Sequence, residues 1–158
     1  MNEIVCATRG GEASRAVQMA AIEQAKASGN PLVFLYVVSP DAIKDVEPGL
    51  EDVVVEELIW LGKAVLNVAE DRAQGEGLES EKIIRVGIVR DEICGYLTER
   101  QASLLLLGAP RSATTSVFGD DPVERFASSI HENTGVDVAV VRPDIDDPDS
   151  YYTYLVPA

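Results

Sequence analysis

Residues 31–38 read Pro-Leu-Val-Phe-Leu-Tyr-Val-Val, eight positions with no charge and no apolar–polar alternation. A strand with one wet face alternates. A strand covered on both faces does not, as in a parallel sheet sandwiched between helices. Immediately upstream, Gly29-Asn30-Pro31 stops an alanine-rich stretch of helical period, Glu12–Ser28.

Working outward, four more runs have strand texture: Glu3–Thr8, Lys82–Val86, Ser103–Leu107 and Val136–Val141. The last two of these are again close to uninterrupted apolar runs. Three more helical patterns separate the strands. Leu50–Gln74 repeats apolar residues at Leu50, Val54, Leu58, Leu61, Val65 and Val68, which predicts its buried face, and Gly75-Glu76-Gly77 stops it. Asp91–Gln101 opens on an acid and turns Ile93 and Leu97 inward. Pro122–Asn133 starts with proline in its first turn and buries Val123, Phe126, Ala127 and Ile130. Strict alternation of strand and helix predicts an α/β fold, a three-layer α/β/α sandwich around a five-stranded parallel sheet. Ligands of such sheets sit beyond the carboxyl ends of the strands, where strand order reverses. The loops after strands one, two and four are therefore the places to look for function.

The chain has 158 residues, one domain's worth, of which 46% are hydrophobic and 25% charged. Its formal net charge of −14 opposes a nucleic-acid backbone, and no basic cluster offsets it. No apolar run approaches the ~20 residues of a membrane span. The start, Met-Asn-Glu, leads straight into a strand, so no signal peptide and a cytoplasmic location are expected. Cys6 and Cys94 sit in apolar patterns and read as small buried hydrophobes, and His131 as a surface helix residue; the spacing of a zinc site is absent. After Pro143 the texture changes. Residues 143–158 form an acidic, tyrosine-rich tail, in which Tyr152, Tyr154 and Val156 alternate like a strand that packs on its own or a partner subunit.

Two loops could carry chemistry. After the first strand comes Ala7-Thr8-Arg9-Gly10-Gly11-Glu12-Ala13-Ser14, whose paired glycines let backbone amides face an anion at a helix N-terminus. Arg9 ends that strand, where it either pairs with a carboxylate or meets a ligand. The loop after strand four runs from Gly108 through Arg111, Ser112 and Thr114 to Asp120-Asp121-Pro122. With strand order 3-2-1-4-5, Arg9 and Arg111 converge across the switch point as a fork suited to phosphate or carboxylate. Asp120 and Asp121 either cap the following helix or neutralise these arginines.

These elements resemble one known family. Ile4-Val-Cys-Ala-Thr-Arg-Gly-Gly-Glu-Ala-Ser14 is similar to the first strand and turn of universal stress proteins, and Phe34-Leu-Tyr-Val-Val-Ser-Pro40 to their second strand. Leu104–Gly108, Val123-Glu-Arg-Phe126 and Val138-Ala-Val-Val-Arg-Pro143 resemble their closing third. The resemblance implies a universal stress protein-like domain over residues 1–142. It implies a homodimer formed through strand five, Val136 to Val141, and an adenosine pocket touched at Ala7, Val37 and Gly108. It also marks departures. Arg9 stands where ATP-binding members carry aspartate. In their Gly-x2-Gly-x9-Gly-Ser/Thr pattern, Arg111 replaces the second glycine and Asp121-Pro122 the final pair. The loop Arg9–Ser14 is also similar, less closely, to the SGGxDS loop of pyrophosphate-forming ATP enzymes.

The expected function is thus a dimeric stress-response module that does not hold ATP in the family's usual way. The alternative is a sensor of a nucleotide or other anion, with Ala7, Arg9, Gly10, Gly11, Val37, Gly108, Arg111, Ser112 and Thr114 as its crevice. A second alternative is a weak ATPase with magnesium on Asp120 and Asp121. No catalytic residue, resident metal or cofactor is expected. ATP, AMP or another anion is the ligand such a crevice would take.

Overall fold

The computed structural model describes residues 2–9, 13–39, 47–110, 121–144, 146–147 and 149–156. Gly10, Gly11, Arg111, Ser112, Thr114 and Asp120 lie outside the described residues. Strands β1 (Ile4–Ala7), β2 (Leu32–Val38), β3 (Ser80–Val86), β4 (Leu104–Gly108) and β5 (Asp137–Pro143) pair in parallel. Helices α1 (Ser14–Ser28), α2 (Glu51–Gly75), α3 (Val89–Arg100) and α4 (Pro122–Thr134) connect them. The uninterrupted apolar strands behave as their composition requires. Phe34, Tyr36, Cys6 and Leu106 face a core shared with α1 and α2; Val33, Leu35, Val5, Leu105 and Leu107 face a second core shared with α3 and α4. Cys6 is fully buried, which pushes its thiol far above the ordinary range and leaves it inert as a nucleophile; Cys94 is half-buried. His131 serves the end of α4, where its Nδ1–H donates to the Val136 carbonyl at 2.8 Å.

The sheet has six strands, not five, in the order β3-β2-β1-β4-β5-β6. The sixth strand, β6 (Tyr151–Leu155), comes from the acidic tail and runs antiparallel to β5, with Val140 opposite Tyr154 and Arg142 opposite Tyr152. An alternating segment suits an edge strand. The outer edge of β5, expected to meet a second copy, is therefore filled by the chain's own tail. Pairing two copies through β5 would first require β6 to leave.

Helix α2 meets expectation only in part: of its repeated apolar residues, Leu58 and Val65 pack against the core. Its buried residues are Gly62, Leu66, Ala69 and Ala73, whereas Leu50, Leu61 and Val68 are exposed. Gly62 lets the helix press directly onto β2, because a Cβ there would lie 2.6 Å from Cδ1 of Tyr36.

Candidate functional site

The carboxyl ends of β1, β2 and β4 define a crevice at the switch point. Ala7 is in register with Leu35 on one side and Leu107 on the other. Beyond these residues opens a cavity of about 360 Å³ lined by Ala7, Thr8, Arg9, Leu35, Val37, Val89, Ile93, Leu107, Gly108, Pro122, Val123 and Phe126. A smaller one of about 200 Å³ adjoins it on the α1 side, between Thr8, Arg9, Ala13, Ser14 and Gly108. Four expected residues thus come together: Ala7, Arg9, Val37 and Gly108. Gly108 earns its place by shape, since a Cβ there would crowd the Ala13 side chain at 3.1 Å and block the approach of α1 to β4.

Val123 and Phe126, expected in the core, are only partly buried and wall the cavity. Helical spacing marks an inward face; it does not say whether a side chain or a hollow lies opposite. Ile93, expected inward, also meets the hollow, as do Leu35, Leu107 and Val89, which nothing in the sequence singled out for a site. Arg9 is exposed at the mouth and, among the described residues, has no hydrogen-bond or ion-pair partner. It lines both hollows. Among the described lining residues of the larger cavity it is the sole charged group, and none is a carboxylate, imidazole or thiol.

Asp121 is a cap, not a counterion of Arg9. One of its oxygens accepts the Val123 and Glu124 backbone N–H groups at 2.8 and 3.3 Å. Its other oxygen lies 2.6 Å from Nη2 of Arg142, a residue the sequence gave no reason to single out. Arg142, buried at the end of β5, also donates to Tyr154 Oη at 3.0 Å and to the Pro110 carbonyl at 2.9 Å. Tyr154 in turn donates to Glu124 at 2.8 Å. Burial pushes the Asp121 carboxyl up, but Arg142 and the two amides outweigh it and hold it below the usual carboxylate range. The first-turn amides of α4 are thereby occupied by a carboxylate.

The N-terminus of α1 differs. Ala13 is its N-cap and offers no side chain to the free amides. Behind it, fully buried Gln18 donates to Thr8 Oγ1 at 3.0 Å and Ser14 Oγ at 2.9 Å, while Arg72 donates to Gln18 Oε1. This chain of bonds ties Thr8, just past β1, to Ser14, the first residue of α1.

Residues 1–142 match the model of the universal stress protein family. No curated protein sequence matches. Among solved structures, the chain is similar to UspA from Lactobacillus plantarum, at 20% identity and a TM-score of 0.70 over 88% of this chain and 96% of that one. It is similar to a universal stress protein solved in complex with cAMP, at 23% identity and 0.60 over 89% and 96%. A third is the Archaeoglobus fulgidus universal stress protein in complex with dAMP, at 20% identity and 0.55 over 90% and 96%. At such identities the likeness establishes the fold, and the match across residues 1–142 establishes the family. The chain belongs to the universal stress protein family.

Proposed function

We propose that the crevice binds a flat, mainly apolar ligand carrying a single phosphate, a nucleoside monophosphate or cyclic nucleotide, and that the protein acts as a ligand-responsive stress module without turnover. The observation that carries this reading is the pairing of an apolar slot with a cation, Arg9, that has no counterion among the described residues. Val37, Leu107, Val123 and Phe126 suit a planar ring, and Arg9 stands at the mouth beside the uncapped amides of α1. The geometry favours one phosphate over three. At α4 the first-turn amides already serve Asp121, and Pro122 has no N–H to offer. The cAMP and dAMP complexes of two structural relatives support the ligand class.

Calorimetric titration with AMP, cAMP and Mg-ATP tests it, on the wild type and on Arg9→Gln. AMP or cAMP should bind more tightly than Mg-ATP. Losing one charge-assisted hydrogen bond, worth roughly 1.5–3 kcal/mol, should weaken the preferred ligand about 10- to 100-fold. Tighter binding of Mg-ATP, or an Arg9→Gln protein that binds as well as wild type, would overturn the reading. Silence with all three would leave a module that acts through protein contacts alone.

A further inference from the structure

Helix α2 has two apolar faces, and the sheet covers one of them. At about 100° per residue, Gly62, Leu66, Ala69 and Ala73 cluster around one direction and are buried. On the opposite side, Val53, Trp60, Leu61 and Val68 are exposed to between 47% and 72%. With Glu57 and Ala64 they fall within an arc of about 100°, the width of a helix face made to be covered. Trp60 is the most exposed, and at 72% it leaves roughly 110–180 Å² of the only indole in the chain in water.

The spacing says what covers it. The outer face occupies positions 50, 53, 57, 60, 61, 64, 68 and 71, and these steps read the same in either direction. A two-fold axis passing between Trp60 and Leu61 would set Val53 against Val68 of a second copy, Glu57 against Ala64, and Trp60 against Leu61, with Leu50 and Asp71 meeting at the rim. A surface that is its own complement under such an axis is what a two-fold dimer requires. Charge selects the same arrangement. The first turns of α2 carry Glu51, Asp52, Glu56 and Glu57, so a parallel pair would stack acid on acid. The antiparallel pair separates these ends. It also brings Lys63, which among the described residues has no partner, alongside Glu56 of the second copy, twice by symmetry.

We infer that the outer face of α2 is a homodimer interface, two α2 helices crossing antiparallel at Trp60 and Leu61. It is separate from the edge of β5, which the chain closes with β6, and from the crevice, so it stands whatever the crevice binds.

Trp60 emission and sedimentation velocity, read together from submicromolar to high micromolar protein, test the inference. The wild type should dimerise, with Trp60 emission shifting to the blue over the same range. Trp60→Glu should weaken association at least about thirtyfold. Lys63→Glu should weaken it and Glu56→Lys in the same chain restore it, a rescue that misfolding would not give. In a Cys94→Ala background, a mixture of Val53→Cys and Val68→Cys proteins should cross-link under oxidation while Val53→Cys alone does not. A monomer at every concentration would overturn the inference. So would a dimer that Trp60→Glu leaves intact, or cross-linking by Val53→Cys alone, which marks a parallel pair.

Discussion

Replacing Arg142 by methionine tests whether the tail strand, the helix α4 and the loop after β4 are held by one buried cation. Methionine keeps much of the stem volume and removes the guanidinium. The change strips Asp121, Tyr154 and the Pro110 carbonyl of their shared donor at 2.6, 3.0 and 2.9 Å. Breaking a buried pair by removing one partner costs roughly 3–5 kcal/mol. Two features place this case at the low end. The Asp121 side chain is 18% exposed and keeps both backbone donors, so water and the helix amides still solvate it. A loss of about 3 kcal/mol is expected, which in a domain of this size lowers Tm by about 6–12 °C.

The pH dependence separates this account from a simple packing defect. Asp121 has its carboxyl held below the ordinary value, so the stability it contributes is present at neutral pH and is lost as pH falls through its folded value. The gap between wild type and Arg142→Met should therefore be full at pH 7 and narrow progressively below about pH 4. Urea denaturation at both ends of that range, with Asp121→Asn and the double variant completing a cycle, reads the coupling. It should lie at about 1–3 kcal/mol at pH 7. A coupling below about 0.5 kcal/mol, or a gap unchanged by acid, would refute the claim that the charge pair is what Arg142 contributes.

Two further changes bear on packing. Gly62→Ala places a methyl 2.6 Å from the buried Tyr36 ring; overpacking of roughly 1–3 kcal/mol outweighs the ~1 kcal/mol gained in helix propensity, so Tm should fall, whereas Gly75→Ala, with nothing within 4 Å, should hold or raise it. Deleting residues 144–158 in the Trp60→Glu background uncovers β5 from Ala139 to Pro143, and light scattering should show concentration-dependent association that the full-length variant lacks.

The doubly covered parallel sheet was legible because burial on both faces leaves a mark: runs such as Leu32–Val38 and Leu104–Leu107 have nowhere to place a charge. Strand β3 is different. It lies at the sheet edge, and its Lys82 and Arg85 reach acids on the flanking helices, so its pattern was shorter than the seven-residue strand observed. The alternation of the tail was visible too, but alternation alone cannot name a pairing partner. Helix α2 misled for a definite reason. Its buried face mixes Leu66 with Gly62, Ala69 and Ala73, which carry little hydrophobic signal, while the large apolar residues Trp60, Leu61 and Val68 lie on the far side. Of the repeated apolar positions, Leu58 and Val65 do pack against the core, so the pattern located one edge of the buried face and missed its centre.

That Ala7, Arg9, Val37 and Gly108 line one crevice follows from the parallel sheet, which fixes where strand ends point; the resemblance singled out Ala7, Val37 and Gly108, and the end of the first strand singled out Arg9. What decides its electrostatics was hidden, because it depends on which arginine reaches Asp121. Arg9 and Arg142 both sit at carboxyl ends of strands, and a sequence offers no means of choosing between them. The fold chooses by burial. Arg142 is 5% exposed and lies within 2.6 Å of the carboxylate, so leaving it unpaired would cost far more than leaving Arg9 in water. Asp121 is thereby spent on Arg142 and on the amides of α4. Arg9 is left with its charge unopposed among the described residues at the mouth of an apolar slot. One buried ion pair thus takes up the carboxylate that caps α4 and, among the described residues, leaves Arg9 without a counterion.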